Sequence, residues 1–404
     1  MKICDATQFY SEVGGGVRRY LQEKRRYVLE HTEDEHILLV PGDRTGVVRD
    51  GRLTTCSVRS PRINRSSRYR ILFNLARAEE FIHREKPDLI ESGDPYHLGW
   101  RMIDAAHGNN IPVVGFYHSH FPEAYLRTAF KYCGPWVREV GLAYAQDYIV
   151  RLYNDFDVTL VPSEHLARLL AGWGVATTRP VRLGVDIAVF RPGPRDPAVR
   201  ERLGLPADRI LLLYVGRLAG EKNTPLLMEA FDRLESAHPG RYTYLVIGDG
   251  AQRPKVRELQ DRIPHFQWMS YCHDSGELAD IYRAADLFVH PGVCETFGLV
   301  TLESQACGCP VVGIHGTYMD ALIAAGLEDW ADANTPEALA LAIDRYSRTD
   351  LAARGQAASE HVRARYSWKT VFDDVWKIYR AAIEQNRERR RHGALHADFH
   401  IPIA

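Results

Sequence analysis

Along this chain, short runs dense in apolar residues alternate with longer stretches whose apolar residues recur every three to four positions. The short runs are KICDATQF (2–9), HILLVP (36–41), PDLIES (87–92), IPVVGFYHSH (111–120), DVTLVPS (157–163) and RPVRLGV (179–185). Between them lie VRRYLQEKRRYVLEH (17–31), DPYHLGWRMIDAAHGNN (94–110) and EHLARLLAGWG (164–174), the last preceded by Ser163 as a helix N-cap. Strands apolar on both faces, separated by amphipathic helices, predict parallel pairing in a doubly wound α/β sheet.

The alternation stops at GVDIAVFRPGPRDPA (184–198), a proline-rich connector without periodicity, and then restarts. RILLLYVGRL, RYTYLVIGDG, HFQWMS and DLFVHP read as strands, PLLMEAFDRLESAH and ELADIYRAA as helices. DVWKIYRAAIEQNRERRRHG (374–393) reads as a terminal helix. The expected architecture is two Rossmann-like domains facing a central cleft: residues 1–185 with 372–404 returning to them as a docked helix, and residues 186–371. In such sheets ligands bind beyond the carboxyl ends of the strands, and two of them place a ligand in the cleft.

Composition narrows the function classes. The 404 residues carry 51 Lys+Arg and 52 Asp+Glu, a formal charge of −1, so nothing global points to nucleic acid as a partner. No apolar run approaches the ~20 residues that span a bilayer. The start reads directly into a strand, not a signal peptide, so the expected location is cytoplasmic. Seven scattered cysteines suggest no disulfide framework, and Cys307-Gly-Cys309 lacks the second ligand pair of a metal site.

The stretch that carries most chemistry is HPGVCETFGLVTLESQACGCP (290–310). Its strand ends at a loop holding Glu295, and a helix opens near Gly298 with Glu303 on its second turn. A helix start offers backbone N–H groups and a positive dipole end to an anion, here between Phe297 and Val300. Carboxylates beside an anion site make sense as acceptors for sugar hydroxyls; the alternative is a solvated loop residue and a surface helix charge. Arg217 and Lys222, five residues apart just past another strand end, form a clamp suited to a diphosphate.

In the first half, Gly14-Gly15-Gly16 stands between a strand and a helix, an arrangement that serves either a phosphate or a tight turn. Asp94, His118 and His120 stand at strand ends. The basic stretch with Arg62, Arg65, Arg68, Arg70 and Arg77 is either a face for anionic lipid or an acidic acceptor, or a solvated helix face. The aromatic segment with Tyr125, Phe130, Tyr132, Trp136, Tyr144, Tyr148 and Tyr153 is either core packing or a groove for an apolar acceptor. Asp155 and Asp157 lie at the wrong end of a strand for a metal–nucleotide site. Arg387 to Arg391 form either a frayed end or a membrane-facing run.

Taken together these residues resemble the retaining nucleotide-sugar glycosyltransferases of the GT-B fold, their large fourth family of glycogen-synthase-like, group 1 enzymes. The resemblance spans nearly the whole chain: the glycine loop, strand-end His118, Pro162-Ser163, GVD..VF.P in the connector, GRL...K (216–222), GDG (248–250), and E-x7-E enclosing ETFG. FYHSHFPEAYL and ETFGLVTLES look most like the sulfolipid-synthase and lipid mannosyltransferase branches. The resemblance implies roles for individual residues. Arg217 and Lys222 would neutralise the donor diphosphate in place of a metal ion, with no cofactor. Glu303 would hold ribose hydroxyls and Glu295 sugar hydroxyls. The backbone of Phe297, Gly298, Leu299 and Val300 would hold sugar and phosphate. Ser270, Tyr271 and Cys272 would line the base pocket, His118 would meet the donor sugar, and Gly15 and Gly16 would let the first loop approach the phosphate. Asp94 and His120 would lie on the acceptor side.

The implied reaction moves a hexose from a UDP- or GDP-sugar to a hydroxyl, with a lipid or lipid-linked acceptor and peripheral membrane contact as the finer expectation. A soluble acceptor is the alternative. GIHGTYMDALIAAGLEDWADANTPEAL (313–339) departs from the family by lacking the acidic residue and glycine-rich return seen there in many members. A nicotinamide dehydrogenase would carry G-x-G-x-x-G with an acid ~20 residues on, which this chain lacks. A sugar-binding protein would not need Arg217 and Lys222 beside the glutamates.

Overall fold

The computed structural model describes residues 1–10, 16–62, 70–118, 135–293, 297–317 and 319–392. They fall into two compact units: one runs to Leu183 and resumes at Trp368, the other is Gly184–Ser367.

The first unit is an eight-stranded sheet made of β1 (Lys2–Ala6), β2 (Glu35–Gly42), β3 (Gly46–Asp50), β4 (Leu53–Arg59), β5 (Leu89–Ser92), β6 (Val113–Phe116), β7 (Val158–Val161) and β8 (Thr178–Pro180). Its order is β3-β4-β2-β1-β5-β6-β7-β8. All pairs are parallel except β3–β4. The central strands are buried throughout, as their uniformly apolar sequences require. The predicted cap forms: Ser163 Oγ accepts from Leu166 N at 3.2 Å, and Gly174 at φ +110° closes the helix Glu164–Trp173.

Two elements differ from the sequence reading. A hairpin, β3–β4, extends the sheet beyond the strand-helix alternation; its signal is Asp50-Gly51, with Gly51 at φ +55°. The run 179–185 supplies only the three-residue β8, because Pro180 lacks an N–H and is tolerated only at a sheet edge.

The terminal helix Trp368–Arg391 packs on the first unit through Phe372, Trp376 and Tyr379, all buried. Polar contacts fix its register: Trp376 Nε1 donates to Asp34 at 2.6 Å, Tyr27 Oη to Asp373 at 2.8 Å, and Asn386 Nδ2 to the Asn110 carbonyl at 2.8 Å. Its arginines are neither frayed nor spare as a group. Arg389 pairs with Asp157 at 3.1 Å and Arg390 donates to the Asn109 carbonyl at 3.2 Å. Asp157 is thereby structural, since it also accepts from Val113 N at 2.7 Å.

The second unit is a fully parallel sheet of β9 (Ile210–Val215), β10 (Tyr242–Ile247), β11 (Phe266–Met269), β12 (Leu287–His290) and β13 (Val311–Gly313), in the order β11-β10-β9-β12-β13. The strand order reverses between β9 and β12, so their carboxyl-end loops diverge and open a crevice there. Among the described residues, no helix is long and apolar enough to cross a membrane.

Trp376 is both a large buried ring and a hydrogen-bond donor. Trp376→Ala should destabilise the first unit by about 3–5 kcal/mol, read as a lower urea midpoint in the transition that reports that unit.

Candidate active site

In the second unit, the loops after β9 and β10 are in backbone contact. Gly216 N donates to the Ile247 carbonyl at 2.9 Å, Leu218 N to that of Asp249 at 3.0 Å, and Gln252 N to that of Leu218 at 3.0 Å. A Cβ at Gly248, which sits at φ +151°, would lie 1.8 Å from the Gly216 carbonyl oxygen. One at Gly250 would lie 2.3 Å from that of Leu218. The GDG motif is therefore what lets the two loops touch.

Arg217 is 56% exposed and pairs with Glu221 at 3.2 Å. An exposed pair of this kind is worth under about 1 kcal/mol, so the guanidinium remains available to a stronger anion. Lys222 ends the 3-10 turn Gly220–Lys222, on the same short loop. Asn223 follows in the left-handed region at φ 57°, and its amide donates to the Pro291 carbonyl at 2.9 Å and to Asn334 Oδ1 at 2.7 Å. This residue, which sequence reasoning missed, ties the cationic loop to the loop after β12 across the point where strand order reverses.

That second loop leads into the helix Leu299–Ala306 through Gly298, at φ +75° and without a side chain to cap the first turn. Leu299 and Val300 are half-buried and Phe297 is buried. Glycine is needed at this helix start for its φ, and a Cβ there, 2.4 Å from Met319 Cε, would also push that side chain aside. Glu303 is 6% exposed and accepts from Tyr282 Oη at 3.3 Å, which rules out a solvated surface charge. Burial and Glu303 together push the Tyr282 hydroxyl far above the usual phenol range, so it serves as a donor to the carboxylate. Asp320 accepts from Gly316 N at 2.9 Å and from Thr317 N at 3.3 Å, and pairs with His315 at 2.9 Å. Asp320 thus has a local role in closing the loop that follows β13.

Ser270 and Tyr271 are exposed and Cys272 half-buried, on the loop after the edge strand β11. Burial and Glu277 push the Cys272 thiol up to about 11, leaving it unreactive near neutral pH. Gly15, His120 and Glu295 lie outside the described residues, as do Arg65, Arg68, Tyr125, Phe130, Tyr132 and Tyr318.

In the first unit, Gly16, Asp94 and His118 follow or lie just beyond the adjacent strands β1, β5 and β6, at the same edge of the sheet. Gly16 opens the helix Gly16–His31. Asp94 is buried and accepts from Tyr96 N at 2.9 Å, Gln8 Nε2 at 3.2 Å and Gln8 N at 3.3 Å. Burial still pushes its carboxyl up to about 6 against those bonds. His118 is stacked on Phe116 at 3.9 Å and 5° and meets the Tyr20 ring edge-on at 5.4 Å. A Cβ on Gly93 would lie 2.7 Å from its Cδ2, so the ring is confined on that side as well. Burial and the Lys24 charge hold His118 down to about 3, which makes it a neutral imidazole at any physiological pH.

The aromatic helix Pro135–Asn154 divides by face. Tyr153 is buried and Tyr148 donates to the Pro95 carbonyl at 2.7 Å, the packing reading. Trp136 and Tyr144 are 75% and 74% exposed, with Val137 and Val140 beside them. Of the basic stretch, Arg70 pairs with Asp43 and Arg77 with Glu80.

Residues 14–189 match the family described as Glycosyltransferase Family 4, and residues 196–360 match Glycosyl transferases group 1. The chain thus carries group 1 glycosyltransferase domains, in the two Rossmann-like sheets of the GT-B fold. A D-inositol 3-phosphate glycosyltransferase of Catenulispora acidiphila is 35% identical over 244 residues, 55% of this chain and 56% of that protein. The sulfoquinovosyl transferase of Arabidopsis thaliana is 30% identical over 328 residues, 77% of this chain and 60% of that protein. The chain thus spans little more than half the length of these curated relatives. Among solved structures, sucrose-phosphate synthase from Thermosynechococcus elongatus superposes with a TM-score of 0.75 at 21% identity, covering 95% of this chain and 99% of that one. Anabaena HepE in complex with UDP-glucose gives 0.70 at 18% identity, covering 94% and 100%.

With its ring held neutral, His118 should not titrate between about pH 5 and 8, where an unperturbed histidine changes charge. Its Cε1 resonance, assigned by loss in His118→Gln, should stay at the neutral-imidazole position across that range.

Proposed function

We propose that this chain is a retaining glycosyltransferase, independent of a metal ion, that moves a hexose from a nucleoside-diphosphate sugar to an acceptor hydroxyl. The observation that carries this is one connected site in the second unit. Arg217 and Lys222 share a loop that Asn223 bonds to the loop preceding an uncapped helix start, with buried Glu303 one turn further on. Two cations and a helix dipole suit a diphosphate; the carboxylate, kept dry and oriented by Tyr282, suits vicinal ribose hydroxyls. The family and the UDP-glucose complex of a protein of the same fold support that reading.

In the proposed reaction, the bond between the anomeric carbon and the β-phosphate oxygen breaks, and negative charge develops on that oxygen. Arg217, Lys222 and the N–H groups near Leu299 and Val300 stabilise it, acting most strongly where charge forms. The acceptor oxygen bonds to the same face of the sugar, and its proton passes to the leaving phosphate. Neutral His118 offers the sugar a hydrogen bond without adding charge beside a carbon that is becoming positive. Glu295 takes the sugar's hydroxyls, Ser270 to Cys272 face the base, and the glycine loop at Gly15 and Gly16 serves the phosphate.

For the acceptor, the exposed ridge of Trp136, Val140 and Tyr144 supports a lipid or lipid-linked hydroxyl met at a membrane surface. The D-inositol 3-phosphate named in several relatives supports a small soluble acceptor instead. A thermal-shift panel of UDP-, GDP- and ADP-sugars should show one nucleotide stabilising the protein. Transfer from that donor to vesicles, against transfer to inositol phosphate, then separates the acceptors. The product's anomeric configuration by NMR should match the donor's, and an inverted product would overturn the mechanism. Chelator should leave the rate unchanged.

Lys222→Ala should lower turnover by about 100-fold, the scale of removing one preorganised donor to a developing oxyanion. Comparison of kcat and nucleotide affinity by titration calorimetry would show the loss falling mainly on kcat.

A further inference from the structure

The first unit holds a charged cluster that the proposed chemistry does not touch. Lys24, on the helix Gly16–His31, is fully buried. Its ammonium has three partners: Asp5 Oδ1 at 2.8 Å, Glu91 Oε1 at 2.9 Å and Tyr379 Oη at 2.8 Å. Asp5 and Glu91 face each other in register on the central strands β1 and β5. His36 Nε2, on β2, lies 2.5 Å from the other oxygen of Asp5. Tyr379, which comes from the terminal helix, also donates to Glu91 Oε2.

Such a cluster is weak evidence for stability, because well-packed apolar residues of similar volume often do as well or better. Its geometry suggests another use. Tyr20 lies one helical turn before Lys24, with its ring 4.6 Å from the ammonium and its hydroxyl 3.4 Å from Glu91 Oε2. The same ring touches Trp368 and Phe372 of the terminal helix, at 6.2 and 5.5 Å between centroids. On its other side it touches His118, edge-on at 5.4 Å. A continuous path of packed contacts therefore runs from the terminal helix, through Lys24 and Tyr20, to the imidazole at the end of β6.

We infer that Lys24, Tyr20 and Tyr379 are positioning residues for His118: the saturated ammonium and the terminal helix fix the Tyr20 ring, and that ring fixes the orientation in which the imidazole meets the donor sugar. The inference rests on the proposed role of His118 in transfer. It makes the last helix of the chain a working part of the first unit's site. It also gives the buried charges a purpose that depends on direction, which apolar packing would not supply.

The test uses the full chain labelled with 13C at histidine Cε1, with Tyr379→Phe, Tyr20→Phe and Tyr20→Leu, and His238 of the second unit as an internal control. Tyr379→Phe and Tyr20→Leu should shift or broaden the His118 resonance and leave that of His238 in place. With the donor found by the nucleotide panel, both should lower kcat by about tenfold or more while donor KM stays within about twofold, as for a misplaced group. Tyr20→Phe, which keeps the ring, should recover most of the rate. An unchanged His118 resonance in Tyr379→Phe and Tyr20→Leu would overturn the inference, as would a loss of thermal stability with kcat intact. If the wild-type protein transfers sugar from no nucleotide, the functional reading fails, and the resonance still decides whether the cluster positions the ring.

Discussion

The second unit's site depends on one close approach, that of the Gly248 backbone to the carbonyl of Gly216. Any side chain at position 248 would fall inside the contact distance of that oxygen. Because the approach is possible, the loop after β9 is bonded to the loop after β10, and Arg217 is set between Gly216 and Leu218, whose main-chain N–H groups bond to Ile247 and Asp249. Lys222 then falls at the end of a single tight turn. Asn223, left-handed and bonded to Pro291, carries the same restraint over to the helix start at Gly298. Two flexible cationic side chains thus stand on a rigid base, so they need no large rearrangement to meet an anion.

The two units handle charge in opposite ways. In the second, Arg217 stays in solvent and its partner among the described residues is the weak one, Glu221. A cation kept hydrated but anchored costs little to hold ready and would gain most if an anion displaced that water. In the first, charges are buried at Lys24, Asp5 and Glu91. Burial would raise the Asp5 carboxyl, but Lys24 and the His36 bond outweigh it and keep it ionised, while burial and Asp5 raise Glu91. A cluster of this kind is stiff, and its positive member helps keep His118 neutral.

Much of the fold was legible in the sequence because parallel strands covered on both faces must be largely apolar, and 36–41 and 210–215 are nearly so throughout. The hairpin Gly46–Arg59 escaped because an edge pair with one polar face carries no such run; its exposed positions at Arg49 and Asp50 read as loop. Helix-start chemistry at Gly298 and the loop position of Lys222 were legible because both depend on residues close in sequence. What could not be read were contacts between distant residues. Tyr282 meets Glu303 from a neighbouring helix, Asn223 reaches Asn334, and Tyr379 reaches Lys24 across most of the chain. A single sequence holds no local signal for any of them, since each residue is unremarkable in its own helix or loop.

The buried lysine shows why that limit matters for function. In its own helix, Lys24 belongs to a basic run, EKRR, whose pattern reads as a solvated face. The fold turns it inward because β1 and β5 each offer a carboxylate at the same level of the sheet, and the terminal helix supplies a third acceptor. Removing any one partner would leave the buried ammonium short of a hydrogen-bond acceptor, so the three elements hold one another in register. Tyr20 stands one turn away and inherits that register, and the His118 ring inherits it from Tyr20 through edge contact. The precision of a group at the end of a short strand is in this way set by residues of which none need touch a substrate.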